Sequence, residues 1–404
     1  MTDGNSSNTY DAIVIGARCA GSPTAMLLAR RGYRVLLVDR ARFPSDTLST
    51  HLVHPPGVAA LERWGLLDRL AATGCPPITT YSFDFGPLTI AGAPAFADGT
   101  AVAYCPRRTV LDKLLIDAAD EAGAEVREGF VLDELVCEDG RVVGIRGRPD
   151  GGAPVVERAR VVVGADGAHS KVAKLVGART YNEKPMFAVV YYSYWSGIAV
   201  DEVNWTLRLP HGYGFSPTHG GLTMLMAAWP VADLHDVRKD VEGSYLGALR
   251  LFLGDRLEAA RREERIMGGN VPSHFRRPYG PGWALVGDAG YLKDAITAQG
   301  IADAFHDAEQ CTAALDEALT GTRSFDDAMA DHHRRRDARV RGIFEFTTQI
   351  GTMEPPPPEL LQLFGAIAGN QPAMDEFASV WAGALSPETF FDPAHIGQLV
   401  GPPA

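Results

Sequence analysis

The sequence predicts an α/β fold: a Rossmann-like domain interrupted by a β-rich substrate domain, with a helical C-terminal part. Three observations carry this reading. Residues 10–39 read as strand, glycine turn, helix and strand. Two later apolar runs, Arg160–Val163 (RVVV) and Trp283–Val286 (WALV), each end in a Gly/Asp turn. Between them, 80–104 and 186–231 are rich in Tyr, Phe, Trp, Thr and Val.

The elements follow in order. Tyr10–Ile15 is a short apolar run bounded by the turn Gly16–Gly21. A helical pattern over Ser22–Arg31 breaks at Gly32, and the apolar run Tyr33–Val38 ends at Asp39. Strand, turn, helix and strand in some thirty residues make a βαβ unit. RVVV leads into Gly164-Ala165-Asp166-Gly167 and WALV into Gly287-Asp288-Ala289-Gly290. Ligands of open α/β sheets bind outside the carboxyl ends of the strands, so three such turns suit one extended ligand. Phe187–Trp195, Trp205–Leu209 and Gly221–Trp229 read as antiparallel strands, and Pro185–Val200 as a buried one. From about 301 the chain reads mostly as helix, with a break at Pro355–Pro358. The expected division is 8–78, 102–182 and 272–330 for the discontinuous nucleotide domain, 79–101 and 183–271 for the β-rich domain, and 331–404 for the C-terminal helices.

Composition removes several functions. With 46% hydrophobic and 22% charged residues over 404, the chain has material for a large core and is not disordered. Lys+Arg 38 against Asp+Glu 50 gives a net charge of −12, against nucleic-acid binding. The basic clusters Arg30-Arg31, Arg261-Arg262, Arg276-Arg277 and Arg334-Arg335-Arg336 read as solvated helix faces, as does His332-His333. Cysteines at 19, 75, 105, 137 and 311 form no CxxC and fit a reducing compartment; no His/Cys cluster has metal-ligand spacing. The polar start and the lack of a spanning run lead us to expect a cytoplasmic protein without a membrane span. A homo-oligomer is compatible with the sequence.

The chemistry sits in the turns. Gly16-Ala17-Arg18-Cys19-Ala20-Gly21 stands where a GxGxxG phosphate turn would, with Arg18 in place of the middle glycine. Arg18 would bring positive charge to the phosphates instead. Asp39, 23 residues after Gly16, ends the second strand, where a carboxylate accepts ribose hydroxyls; the alternative is a surface Asp before a loop. Asp288 lies at a strand end where it would bond a polyol chain, the alternative being a tight turn with an Asp N-cap, and Thr297-Ala298-Gln299-Gly300-Ile301 opens a helix whose N-terminus stabilises negative charge. Asp166 reads either as an N-cap or, like Asp288, as facing the ligand.

GARCAG with Asp39, then Arg108 in RxxLDxLL, then GADG, then GDAG, in this order, resemble the FAD-dependent monooxygenases of the para-hydroxybenzoate hydroxylase type. They also resemble the neighbouring geranylgeranyl reductase and flavin halogenase branches. The likeness spans about 10–330. GADGxxSxV and GDAGxxxxxxTAQGI are its specific part; the glycine turn is not. The resemblance implies that Gly16 to Gly21 (Gly16, Ala17, Arg18, Cys19, Ala20, Gly21) hold the pyrophosphate of FAD. It implies that Asp39 holds the adenosine ribose, with Arg40 near the adenine, and that Leu132 offers its backbone to the adenine. Arg108 would bond the linking chain and Asp288 the ribityl chain. Asp166 would lie near the pyrophosphate and nicotinamide approach, and Ala298, Gln299, Gly300 and Ile301 would border the isoalloxazine. Two departures stand out: Asp294-Ala295 replace the prolines many hydroxylases carry before the flavin-facing helix, and Arg18 replaces a glycine. The halogenase WxWxxP is absent, since no two of the six Trp stand two apart.

The reaction this implies is hydroxylation of an aromatic or polyketide-like small molecule. NAD(P)H reduces the flavin transiently, and O₂ reacts at flavin C4a to give the oxygenating hydroperoxide. The protein needs a pocket that excludes water and often a base to ionise a phenol. Tyr192, Tyr194, Trp195, Tyr213, Phe215 and Trp229 are pocket candidates, with core packing as the alternative. His51, His54 and His219 are base candidates, with a structural donor role as the alternative. Tyr192, Tyr213, His51 and His54 are the catalytic set we carry forward. The competing functions are an FAD-dependent reductase or dehydrogenase acting on a C=C bond, and a flavin-binding protein that senses or scaffolds.

Overall fold

The computed structural model describes residues 9–400. It has the expected class: two large sheets, each covered on both faces, and a helical C-terminal third. The first sheet runs in the order Tyr279–Gly280, Trp283–Leu285, Val155–Gly164, Thr9–Ile15, Val35–Asp39, Glu125–Glu128, the last five parallel. Val35–Asp39 is buried throughout, as a strand covered on both faces should be. Ala12, Val14, Leu37 and Val163 pack with the helices Gly21–Ala29, Arg108–Glu121 and Gly300–Thr320. Ile13, Leu36, Val38 and Val162 face the hairpin Phe130–Glu138/Arg141–Pro149.

The second sheet runs Arg261–Arg262, Ala188–Ser196, Thr223–Pro230, His211–Pro217, Val203–Arg208, Tyr81–Asp84, Thr89–Gly92. The segments 81–92 and 188–262 thus share one sheet, and Tyr81–Asp84 joins it parallel to Val203–Arg208 where only antiparallel pairing was expected.

Strand alternation divides the aromatic residues between two faces. Tyr192 opposes Met226, while Tyr191, Ala227 and Tyr213 stand in the next register row. One face carries Tyr81, Phe83, Tyr192, Tyr194, Trp205 and Met224 against Phe344, Phe364, Phe377 and Trp381 of the C-terminal helices. The other carries Tyr191, Trp195, Tyr213 and Trp229 against the helix Val241–Leu253. Tyr213 stacks on Phe252 at 4.9 Å, and Phe215 lies over the same ring. Tyr213, Trp195, Phe215 and Trp229 are therefore outer-face core, which corrects their reading as pocket candidates.

The helix Phe325–Gly351 is continuous across the boundary drawn at 330/331. Its buried residues Met329, His332, Arg336, Val340, Ile343 and Thr347 follow helical spacing, so His332 and Arg336 point inward. That corrects the solvated reading of this stretch for both. Arg336 donates to the carbonyls of Gly290 and Arg276 and to Tyr181 Oη, and pairs with Asp337. No described helix is long and apolar enough to cross a membrane.

Candidate functional site

The three glycine turns meet at the carboxyl ends of neighbouring strands, because Thr9–Ile15, Val155–Gly164 and Trp283–Leu285 are adjacent and parallel. Gly16 has φ +101°, and a Cβ there would lie 2.4 Å from the Ala165 carbonyl oxygen. Only glycine lets the first turn and the Ala165 backbone of the neighbouring turn approach this closely at that φ. Asp39 accepts from Ala17 N and Ala41 N, both at 2.7 Å, so it braces the turn from the second strand. Arg40 beside it is exposed.

Arg18 does not stand free at the turn. Its guanidinium pairs with Asp112, donates to Ser45 Oγ at 2.9 Å, and lies over the Phe43 ring. Arg108, nearly buried, donates to the same carboxylate at 2.8–3.1 Å from Nε and Nη2. Cys19 Sγ lies 3.5 Å from Asp112 Oδ1.

At the third turn, Gly287 N donates to Asp307 Oδ2 at 2.8 Å, which anchors the turn from the helix Gly300–Thr320. The Asp288 carboxylate has no hydrogen-bond partner among the described residues. Burial pushes it up to about 6, against the pull of Arg108 and Lys293. A carboxylate left without a partner fits a hydroxyl-bearing ligand. Together with the glycine turn and two guanidiniums, the residues fit FAD.

The turn at Ala298, expected to border the flavin, is held from three sides. His54 bonds the Thr297 carbonyl at 3.0 Å, Trp205 Nε1 donates to the Ile296 carbonyl at 3.0 Å, and Gln299 Nε2 donates to the Trp381 carbonyl at 2.6 Å. Ala298 is left-handed, φ +56°, and Gly300 and Ile301 open the following helix. Asp294, in the missing prolines' place, accepts from Ile296 N at 3.0 Å, and burial raises it to about 6. Lys293 is buried and paired with Asp303.

Two ligand-side candidates are engaged elsewhere. Asp166 accepts from Ser170 Oγ at 2.5 Å, Lys171 N at 2.6 Å and Val172 N at 3.1 Å, fixing the start of the helix Lys171–Leu175. The Leu132 carbonyl accepts from Lys171 Nζ at 2.7 Å.

The histidine candidates are structural donors. His51 Nδ1 lies 3.2 Å from the Pro106 carbonyl, and a carbonyl only accepts, so Nδ1 carries the proton. Its Nε2 then accepts from Tyr194 Oη at 2.7 Å, with Tyr192 Oη at 3.3 Å. By the same logic His54 Nε2 donates to Thr297 and Nδ1 accepts from Tyr81 Oη at 2.7 Å. Burial holds both rings down at about 3, so each is neutral and bonded at both nitrogens, which favours the structural donor role over that of a base. His219 Nδ1 accepts from Arg107 N at 3.2 Å, and its Nε2 lies 2.8 Å from Thr73 Oγ1. Tyr192 is on the inner face, pushed up to about 12 by burial, and accepts from Ser49 N.

Sequence reasoning missed Asp112, Asp307, Trp205 and Trp381. Asp112 stood inside the RxxLD string, four residues after Arg108, the spacing of neighbours on a helix face. The other three carry no local signal, since each acts across more than twenty residues of sequence or in a separate element.

A family model described as FAD binding domain matches residues 9–235. Digeranylgeranylglycerophospholipid reductase 2 of Methanothermobacter thermautotrophicus is 31% identical over 310 residues, covering 75% of each chain. The protein FixC of Salmonella typhi is 32% identical over 184 residues, 43% of this chain and 40% of FixC, so the match spans well under half of that relative. Among solved structures, the myxobacterial chondrochloren halogenase CndH superposes with TM-score 0.79 at 22% identity, covering 97% and 96%. PqsL of Pseudomonas aeruginosa, described as a probable FAD-dependent monooxygenase, gives 0.70 at 22%, covering 93% and 100%.

Proposed function

This chain belongs to the FAD binding domain family and is an FAD-dependent oxidoreductase; from that premise we propose that it hydroxylates an aromatic or polyketide-like small molecule with NAD(P)H and O₂. The observation that supports this reading most is the aromatic inner face set against the flavin-facing turn. Trp205 bonds the Ile296 carbonyl and stacks on Phe83 at 5.6 Å, and Trp381 lies 5.0 Å from Trp205. These rings pack as core, and the reading rests on the apolar aromatic wall they set beside that turn, where a flat substrate would be received.

FAD, when bound and reduced, would supply the activation of O₂. The chain's own residues bind and shield. Gly16, Arg18 and Arg108 would hold the phosphates and linking chain, Asp39 the ribose, Asp288 the ribityl hydroxyls, and Ala298 to Ile301 the ring edge. Leu132 and Asp166 would contribute through their remaining groups. The C-terminal helices carrying Phe364, Phe377 and Trp381 cover the inner face and keep water from it. Tyr192 is the inner-face hydroxyl we assign to substrate positioning.

The test is isotopic. With phenolic, indolic or polyketide substrates, label from ¹⁸O₂ should appear in the product, with substrate-stimulated NAD(P)H consumption. A second reading, reduction of a C=C bond, is favoured by the 31% likeness to the archaeal reductase over 75% of both chains. Product formed equally well without O₂ would establish that reading and remove the first.

A further inference from the structure

We propose that Asp112 is a positioning residue that holds the Arg18 guanidinium as an arm for the FAD pyrophosphate, in the place a glycine backbone takes in the usual turn. The proposal goes beyond the reaction assigned above and rests only on flavin binding.

The observations are geometric. Asp112 is wholly inaccessible, and a buried carboxylate stays ionised only if it is paired and hydrogen-bonded. Here it serves two guanidiniums at once. Arg108, four residues earlier on the same helix, donates to Oδ1 from Nε and Nη2, and from Nη2 also to Oδ2. Arg18, from the glycine turn, takes Oδ2 with Nη1. Arg108 also lies in the field of the Asp288 carboxylate, so of the two guanidiniums Arg18 is the one with charge to spare.

The Arg18 side chain keeps 25% of its surface accessible, while Asp112 and Arg108 are at 0% and 9%. The spare charge is therefore presented at the turn. Ser45 Oγ and the Phe43 ring fix the guanidinium's other edge and one of its flat sides. An arginine this constrained loses little side-chain entropy when a ligand arrives. Its planar fork also suits phosphate oxygens.

The experiment titrates full-length apoprotein with FAD and with riboflavin, which lacks the pyrophosphate, following quenching of flavin fluorescence. Arg18→Gln should weaken FAD by about tenfold, the range of one charge-assisted hydrogen bond, and leave riboflavin within about twofold. Unchanged FAD binding, or equal losses for both flavins, overturns the proposal. Arg18→Lys keeps the charge but cannot span Asp112 and Ser45 together; it should fall with Arg18→Gln. A lysine variant that binds FAD like the wild type shows that charge alone suffices and also overturns it. Asp112→Asn makes the site more positive, yet should weaken FAD; tighter binding overturns the proposal. If that variant fails to fold, the lysine variant decides, since it leaves Asp112 and Arg108 in place.

Discussion

His54 donates its Nε2 proton to the Thr297 carbonyl oxygen at 3.0 Å, across 243 residues of chain. The link ties the start of the helix Pro55–Arg63 to the turn we assign to the flavin's ring edge. His54→Phe keeps the ring's bulk and removes both bonds. It strands the Thr297 oxygen and the Tyr81 hydroxyl in a buried site, at about 1–3 kcal/mol. Urea unfolding should show that loss, and FAD affinity should fall with it. Full stability with unchanged flavin binding would show that the turn stands without this strut.

The same residue carries a pH signature. His54 sits at about 3 in the fold against an unfolded value near 6.5, because burial disfavours the charged ring. Its contribution is complete above pH 6.5 and is lost as pH falls toward 3, since the unfolded chain takes up the proton first. The stability gap between the wild type and His54→Phe should therefore narrow on acidification, by up to about 1.4 kcal/mol per pH unit. A gap constant from pH 7 to pH 4 would mean that His54 titrates normally.

Tyr213 separates the two faces of the second sheet. Its ring is stacked on Phe252, on the face away from Tyr192 and Trp205. Tyr213→Phe should leave FAD affinity within about twofold and cost well under 1 kcal/mol, whereas Tyr213→Ala should cost about 3–5 kcal/mol through the lost packing. A large change in flavin binding with Tyr213→Phe would place this hydroxyl on the site side after all. The sequence showed that the region was aromatic and β-rich. It did not show which face each ring takes, because alternation gives relative sides and only the register with Met226 and Ala227, set by distant strands, gives absolute ones.

Arg336 shows a second limit of sequence reading. Within Arg334-Arg335-Arg336 the first two are exposed and the third is fully buried. The phase was present in the chain: Met329, His332, Arg336, Val340 and Ile343 recur at three- and four-residue spacing. Polar identities at two of those positions hid the stripe. The turns were legible for the opposite reason, since glycine and aspartate at strand ends are local requirements of one backbone path. Arg336→Met should destabilise by about 3–5 kcal/mol, because it removes the guanidinium's bonds to the Gly290 and Arg276 carbonyls and to Tyr181, and leaves Asp337 without a guanidinium. Arg335→Ala should stay within about 0.5 kcal/mol. Equal effects in chemical denaturation would contradict the burial of Arg336.

Asp288 gives the most direct test of the cofactor site. Its carboxylate is raised to about 6 by burial and lacks a hydrogen-bond partner among the described residues. A ribityl hydroxyl donating to it would favour the charged form, so FAD affinity should rise as pH increases through about 6. Asp288→Asn has no ionisation there, and its affinity should not follow that rise. Asp288→Ala removes the acceptor altogether and should cost about 1.5–3 kcal/mol, roughly 10–100-fold in FAD affinity. Riboflavin, which carries the ribityl chain but no pyrophosphate, should lose as much as FAD does. That pattern is the reverse of the one expected for Arg18. An FAD titration of Asp288→Ala that matched the wild type at pH 7 would remove Asp288 from the ribityl site.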